Sequence, residues 1–562
     1  MFRNIILNTN KTEIDFEILK SEQIYSKFEA CLNAHGMYET LKFSLSLSPV
    51  VHNLMDELID ENNNIMDNPT YEHFQAYSTY LHETIHWWQH VGSVSGLLFS
   101  LSYLGITYIN FEDLKEIYRD FGAKKSLKSW SSSILKKEGA LAQKKLAKAN
   151  TVVNNTLDIE YYQLLALEPK RFAHYVNGDN FFESIGHSYH MAYSQLNRLL
   201  DTVIDDEFKI LPHPENWQKK FNELSDKKID GYYYGSVIII PPIGMLDIYE
   251  GQAKFIQLQF LISLYPELDS MEYWCNNGHL YGVYLSAFNE YKRILNIDVI
   301  EKISDPLVGL FLLICDLAIN PSVGFPFNIE KYENFITDVD VGIRFCKLTV
   351  ALREKIYLID RLNDYSKQEY LYLSYELCEH AGYTHPSLLL DKILSWENKS
   401  DKFVSLMKEY ESFEFDLSNQ PIRVMFSHFI EFCKDKSLRP EFFCWPSKFL
   451  ISQGSNQEFK ELWLKHLSLF GDHPYKKGVY PRLRNDRKQE NVQKTFNDFY
   501  GGTALYDLTR QWILIDGDFK LNYNWLSENY IEKDIFEWAN ETFKSVYSID
   551  LREFENFNHN NI

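Results

Sequence analysis

The chain of 562 residues is 45% hydrophobic and 24% charged, long enough for roughly two to four domains with full cores. Aromatics reach 15%, with 37 Tyr and 39 Phe, a composition that excludes long disordered tracts. The formal charge of −21 disfavours a general nucleic-acid binder, because phosphate contacts need a basic surface.

The opening stretch "MFRNIILNTNKTEIDFEIL" holds only a short apolar run before polar residues intervene, so no secretory signal is expected. "LKFSLSLS" at 41–48 alternates apolar and small polar residues, which predicts a strand with one dry face. Pro49 ends it, and "VVHNLMDELIDE" reads as a short helix. A second helix is predicted from about Asn68-Pro69-Thr70, a cap followed by a first turn, to about His90 before Gly92. Along it Phe74, Tyr77, Leu81, Ile85 and Trp88 recur every three or four residues and define a packed stripe.

Residues 124–148 carry eight lysines and one glutamate, an expected insertion near 121–150 with a solvated face. "GYYYGSVIII" at 231–240 reads as a buried strand halted by Pro241-Pro242. "MLDIYEGQAKFIQLQFLISLY" then reads as a helix ended by Pro266. "LVGLFLLICDLAI" at 307–319 is too short to span a bilayer and predicts a buried helix, so no membrane span is expected. "NPSVGFPF" at 320–327 is a candidate hinge. It divides a region 1–330 from a mainly helical region 331–562, which a Gly-Gly turn at 501–502 and a basic loop at 473–488 interrupt. Seven cysteines, odd in number and without CxxC spacing, fit a reducing cytoplasm, with the thiols as small core residues.

The chemistry concentrates in "YSTYLHETIHWWQHVGS", residues 77–93. Residues four apart on a helix share a face, so His82 and His86 can aim imidazole nitrogens at one point. Zinc takes neutral imidazole at about 2 Å, and catalytic sites use three protein ligands. Glu83, rotated by about a hundred degrees, falls beside the pair rather than in it. There it can act as general base and then acid toward a metal-activated water. Trp87-Trp88 reads as a packed anchor.

At these residues the chain resembles the zincin metallopeptidases, whose active-site helix carries HExxH. The resemblance implies an α+β, predominantly α-helical fold with a zincin-like core and a small sheet. It also implies an edge strand, placed at 41–48, that holds an extended substrate. In the gluzincin group the third ligand is a glutamate on a separate helix, followed one turn on by small residues. "YEGQA" matches this with Glu250, Gly251 and Ala253, whereas Lys254 stands where a thermolysin-like site has an orienting aspartate, leaving that task to Asp247. His90 lies too far along the same helix to complete a tetrahedron, so a packing or supporting role is expected for it. "ESIGHSYH", with Glu183, His187 and His190, is an alternative ligand set or a source of a transition-state hydrogen bond. Tyr232, Tyr233, Tyr234 and His279 are all chemically able to stabilise an oxyanion.

The reading is therefore a cytoplasmic zinc-dependent peptidase in which His82, His86 and Glu250 bind Zn²⁺ and Glu83 is the general base. It acts on a peptide or protein substrate, with no nucleic-acid partner and a regulatory partner expected at the C-terminal region. Two other classes stand beside it. One is an inactive zincin-like binding or scaffold protein. The other is a di-iron carboxylate protein, for which Glu83-Thr84-Ile85-His86 supplies an ExxH, although no second histidine has a glutamate three positions earlier.

Overall fold

The computed structural model describes residues 36–39, 43–59, 65–450, 457–473 and 484–556, apart from gaps at 178, 180, 206, 485, 522 and 524–531, together with 3–4 and 479–480. Cys31, most of the N-terminal stretch and much of the basic loop at 473–488 lie outside the described residues.

Helices dominate. Among the described residues the strands form three two-stranded pairs, and no strand exceeds four residues. β1 (Arg3–Asn4) pairs with β5 (Ile239–Ile240), β2 (Gly36–Glu39) with β3 (Ser44–Leu47), and β4 (Lys124–Lys125) with β6 (Glu555–Asn556). The α+β expectation thus reduces to a helical fold carrying small ribbons. The alternating run at 41–48 forms β3 over Ser44–Leu47, with Ser44, Leu45 and Leu47 buried. Among the described residues, the β-branched run at 231–240 gives only the strand Ile239–Ile240.

Ten helices position the site: α1 (Pro49–Leu58), α2 (Tyr71–Val91), α3 (Val94–Phe121), α4 (Ala147–Leu167), α5 (Ile185–Ile204), α6 (Met245–Leu264), α7 (Val283–Leu295), α8 (Pro306–Ala318), α9 (Gln420–Leu438) and α10 (Gln489–Leu514). The boundaries follow the sequence signals. Ser48 caps α1 by accepting from the Val51 amide, and α2 runs from its N-cap Thr70 to its C-cap Gly92. α3 is long and apolar enough to cross a membrane by composition, yet 72% of its apolar window is buried. It packs on α4, α5 and α10, the position of a central core helix. α8 is buried throughout from Val308 to Ala318, as its composition requires.

α2 and α6 run antiparallel. Tyr71 meets Tyr265, Tyr77 stacks on Phe260 at 5.3 Å, and the Gln257 amide donates to Ser78 Oγ at 3.1 Å. The C-terminal half packs onto the same α2. Trp88 donates through Nε1 to the His466 carbonyl at 2.9 Å, and its ring lies among Phe432, Phe442, Phe443 and Trp463. Trp87 meets Tyr38, Phe43, His428 and Phe470. Both tryptophans are packed anchors.

Residues 320–327 are tied to the core: Phe325 is fully buried, and Asn197 donates to the Gly324 carbonyl at 2.9 Å. Arg344 donates to the carbonyls of Leu317 and Ala318 just before them. Gly501-Gly502 is not a turn but the interior of α10. A Cβ on Gly502 would stand 2.7 Å from Pro421 Cγ, so the glycine lets α10 approach α9. The lysine-rich segment forms two short helices, Leu127–Glu138 and Ala140–Lys145, and the start of α4. Lys136, Lys137, Lys144, Lys145 and Lys148 are exposed as expected, whereas Lys125 is buried and donates to the Ile515 carbonyl. Five of the six described cysteines are buried, and none is in a disulfide.

Candidate metal centre

α2 supplies His82 and His86 one turn apart, and α6 brings Glu250 against them. All three side chains are buried. His82 Nε2 and His86 Nε2 stand 3.1 Å apart, and Glu250 Oε2 is 3.5 Å from the first and 3.6 Å from the second. A tetrahedral ion about 2.0–2.2 Å from imidazole nitrogen and carboxylate oxygen needs its ligand atoms about 3.3–3.5 Å apart. The observed triangle has that size. The two rings are nearly perpendicular, at 85°, so their edges converge without stacking.

The hydrogen bonds around His86 decide its tautomer. Gln89, one turn on, faces three groups: Gln89 Nε2 donates to the Tyr249 carbonyl at 3.0 Å and to Gln252 Oε1 at 2.9 Å. A backbone carbonyl only accepts, so the amide cannot be flipped. Gln89 Oε1 therefore faces His86 Nδ1 at 2.8 Å as an acceptor, and Nδ1 carries the proton. That leaves the Nε2 lone pair turned toward Glu250 Oε2. Two ring nitrogens and a carboxylate oxygen crowded together in a buried setting are held by a shared proton or a cation.

The charges reflect this. Burial pushes the Glu250 carboxyl up, but the His86 and His82 imidazoles more than offset it and hold it well below the usual carboxylate range. Burial pulls His86 down, but Glu250 and Glu83 raise it to about 9. His82, which burial affects most, falls to about 4 despite its Glu250 contact. In the metal-free chain the acidic group is thus Glu250, and its shared proton rests on His86. Donor type, burial and spacing together make a group that can hold a metal ion.

Glu83 lies against β2 and close enough to His86 and Glu250 to feel their charges. A side chain on Gly36 would place its Cβ 2.9 Å from Glu83 Cγ and 3.0 Å from Oε1, so glycine there makes room for the carboxyl. The Tyr38 amide donates to Glu83, while burial raises its pKa to about 8. The strand in contact with this carboxylate is β2, not the predicted 41–48 run. β3 lies behind it, where the Leu45 amide donates to the Phe470 carbonyl.

The other expected site residues fall elsewhere. His90 is buried, stacked on Tyr38 at 5.3 Å and edge-on to Tyr249, and burial lowers its pKa to about 3. It packs behind the centre and does not ligate. Asp247 does not orient a histidine: it accepts from the Gly244 amide at 3.1 Å and from Ser286, capping α6. Gln89 performs the orienting role instead. His187 binds Asp158 at 3.1 Å and faces Glu183, while His190 packs on Phe221 at 4.5 Å with its pKa lowered to about 3 by burial. Among the described residues these three form no ligand set with His82, and Tyr233 sits under Lys228. His279 packs edge-on to Trp274, and burial and then Lys254 lower it to about 4.

Three residues at the centre escaped the sequence reading. Gln89 carries the one-turn spacing from His86 that could have revealed it. Tyr284 on α7 lies edge-on to His82 at 5.9 Å, and Lys254 was visible only as a departure from a pattern. Gly251 does not face α2: its nearest neighbours are Phe311 on α8 and Ala287 on α7. No family model matches the chain, and no curated protein or solved structure does so either.

Proposed function

We propose that the chain is a zinc-dependent metallopeptidase of gluzincin-like design. The reading rests on one observation: His82 Nε2, His86 Nε2 and Glu250 Oε2 converge at tetrahedral ligand spacing, with Glu83 buried close to them against β2. When bound, the ion supplies Lewis-acid polarisation of a carbonyl and lowers the pKa of a water from about 15.7 toward about 7.

The chain's own groups do the rest. His82, His86 and Glu250 hold the ion, and Gln89 keeps the His86 ring in the tautomer that can bind it. Glu83, whose pKa burial raises to about 8, would be available as a carboxylate base at neutral pH with a cation held by His82, His86 and Glu250. Glu83 then takes the proton of the attacking water and delivers it to the leaving amine nitrogen. The Tyr38 amide fixes the carboxylate, and β2 offers an extended substrate a strand edge.

A symmetrical di-iron site uses four glutamates and two histidines, whereas the cluster among the described residues offers three ligand residues. The C-terminal region, packed against Trp87 and Trp88, supports the motif helix directly, and a regulatory partner there remains part of the proposal. A reducing cytoplasm agrees with the unpaired cysteines. The test is E83Q, which retains zinc and ceases to cleave. Proteome-wide comparison of cleavage products with and without this substitution identifies the substrate, and identical product sets overturn the assignment.

A further inference from the structure

Lys254 occupies α6 one turn beyond Glu250 and is buried, at 8% exposure. Residues so spaced bring their Cβ atoms within about 5–6 Å on one helix face. Its Nζ donates to Gln257 Oε1 at 2.9 Å, and Gln257 is tied to Ser78 Oγ, one turn before His82 on α2. The ammonium also stands 4.9 Å above the Tyr284 ring, the same ring that meets His82 edge-on. An unpaired buried charge is costly, yet among the described residues no carboxylate lies within ion-pair distance of Nζ. Glu83 and Glu250 act on it only through space. Of its three N–H donors, Gln257 takes one.

A positive charge placed beside a metal centre, fixed by a neutral amide and left without a carboxylate partner, is preorganised for an anion that exists only during reaction. We propose that Lys254 is the electrophilic residue of this centre and binds the oxyanion that develops on the scissile carbonyl oxygen. As the water oxygen bonds to the carbonyl carbon, the π electron pair moves to the carbonyl oxygen, and the Lys254 N–H donates to it. The proton stays on Nζ, and the pair returns when the C–N bond breaks. This proposal rests on the metallopeptidase reading above. Of the oxyanion candidates in the sequence, Tyr233 lies against Lys228, and His279 packs on Trp274 within reach of the Lys254 charge.

The test uses the full chain loaded with Co²⁺ as a spectroscopic stand-in, titrated with methylphosphonate as a tetrahedral oxyanion and imidazole as a neutral ligand. K254Q is expected to bind cobalt in the wild-type ratio but methylphosphonate on the order of ten- to a hundred-fold more weakly, with imidazole affinity unchanged. K254R, which keeps the charge, recovers most of the loss. Q257L, which frees the ammonium without removing it, weakens methylphosphonate less than K254Q does. Should K254Q fail to fold, K254M, which removes the charge with an apolar side chain of similar length, is titrated in its place. Equal methylphosphonate affinity with cobalt bound, in K254Q or failing that in K254M, overturns the role of Lys254 and leaves the metallopeptidase reading standing. Failure of the wild-type chain to bind cobalt overturns both.

Discussion

Replacing Gln89 with leucine tests how the centre is held, without touching a ligand. The amide makes three buried contacts: it accepts from His86 Nδ1 and donates to the Tyr249 carbonyl and to Gln252 Oε1. Leucine fills a similar volume but leaves the His86 N–H unsatisfied, at a cost of about 1–3 kcal/mol. It also removes the bond that selects the Nε2 lone pair for the ion. Loss of a supporting partner of a ligating histidine typically costs about 10–100-fold in metal affinity, which is about 1.4–2.8 kcal/mol, so two independent routes give the same size. Zinc affinity measured by competition with a chromophoric chelator is expected to fall by that factor in Q89L. Q89E should not restore it, because a carboxylate at 89 would face the Tyr249 carbonyl with acceptor against acceptor. Unchanged zinc affinity in Q89L would refute both the tautomer assignment and the supporting role of Gln89.

Further outcomes follow from the same geometry. E83Q retains zinc at the wild-type ratio and loses peptide cleavage, whereas H82A loses both; metal analysis beside an activity assay separates the two. In the metal-free chain His86 titrates near 9, raised by Glu250 and Glu83. Zinc must displace that proton and also the one that burial keeps on Glu83 below about 8, so its affinity rises by more than tenfold per pH unit from neutrality to about 8, less steeply to about 9, and levels off beyond, as read by pH-resolved competition titrations. The same raised pKa stabilises the metal-free fold below the unfolded imidazole pKa of about 6.5 and is lost as pH rises through about 9. The Glu250 contribution runs oppositely: it is present above the unfolded carboxyl pKa and lost as pH falls. G502A pushes α10 away from Pro421 and lowers thermal stability by about 1–3 kcal/mol; an unchanged melting temperature would mean that the helices do not meet there.

The helix bearing the motif was legible because its signals are local. Thr70 and Gly92 mark its ends, and the spacing of His82 and His86 places both rings on one face. Glu250 was reached only through a resemblance, since nothing in its own neighbourhood distinguishes a ligand from any glutamate on a helix. The geometry that joins it to α2 is made by residues far apart in sequence, such as Tyr77 with Phe260 and Gln89 with the Tyr249 carbonyl. The misread elements share that cause. Gly501-Gly502 carries a turn signature locally, yet its reason is Pro421 on another helix. The run at 231–240 has strand composition, but only Ile239–Ile240 is a strand, paired with Arg3–Asn4 more than two hundred residues away in the chain. Asp247 was asked to orient a histidine because a carboxylate commonly does so. It is spent on the amide of Gly244 at the start of its own helix, and a glutamine on the histidine helix takes the task.

The most direct measurement is the zinc content of the full-length chain after loading and dialysis, for wild type, H82A and E250Q. Convergence of two imidazoles and a carboxylate predicts one zinc per wild-type chain and a loss of bound zinc in both variants, with the helical spectrum retained. A wild-type chain that holds no zinc, or an E250Q chain that holds it as tightly as wild type, would contradict the assignment of this centre.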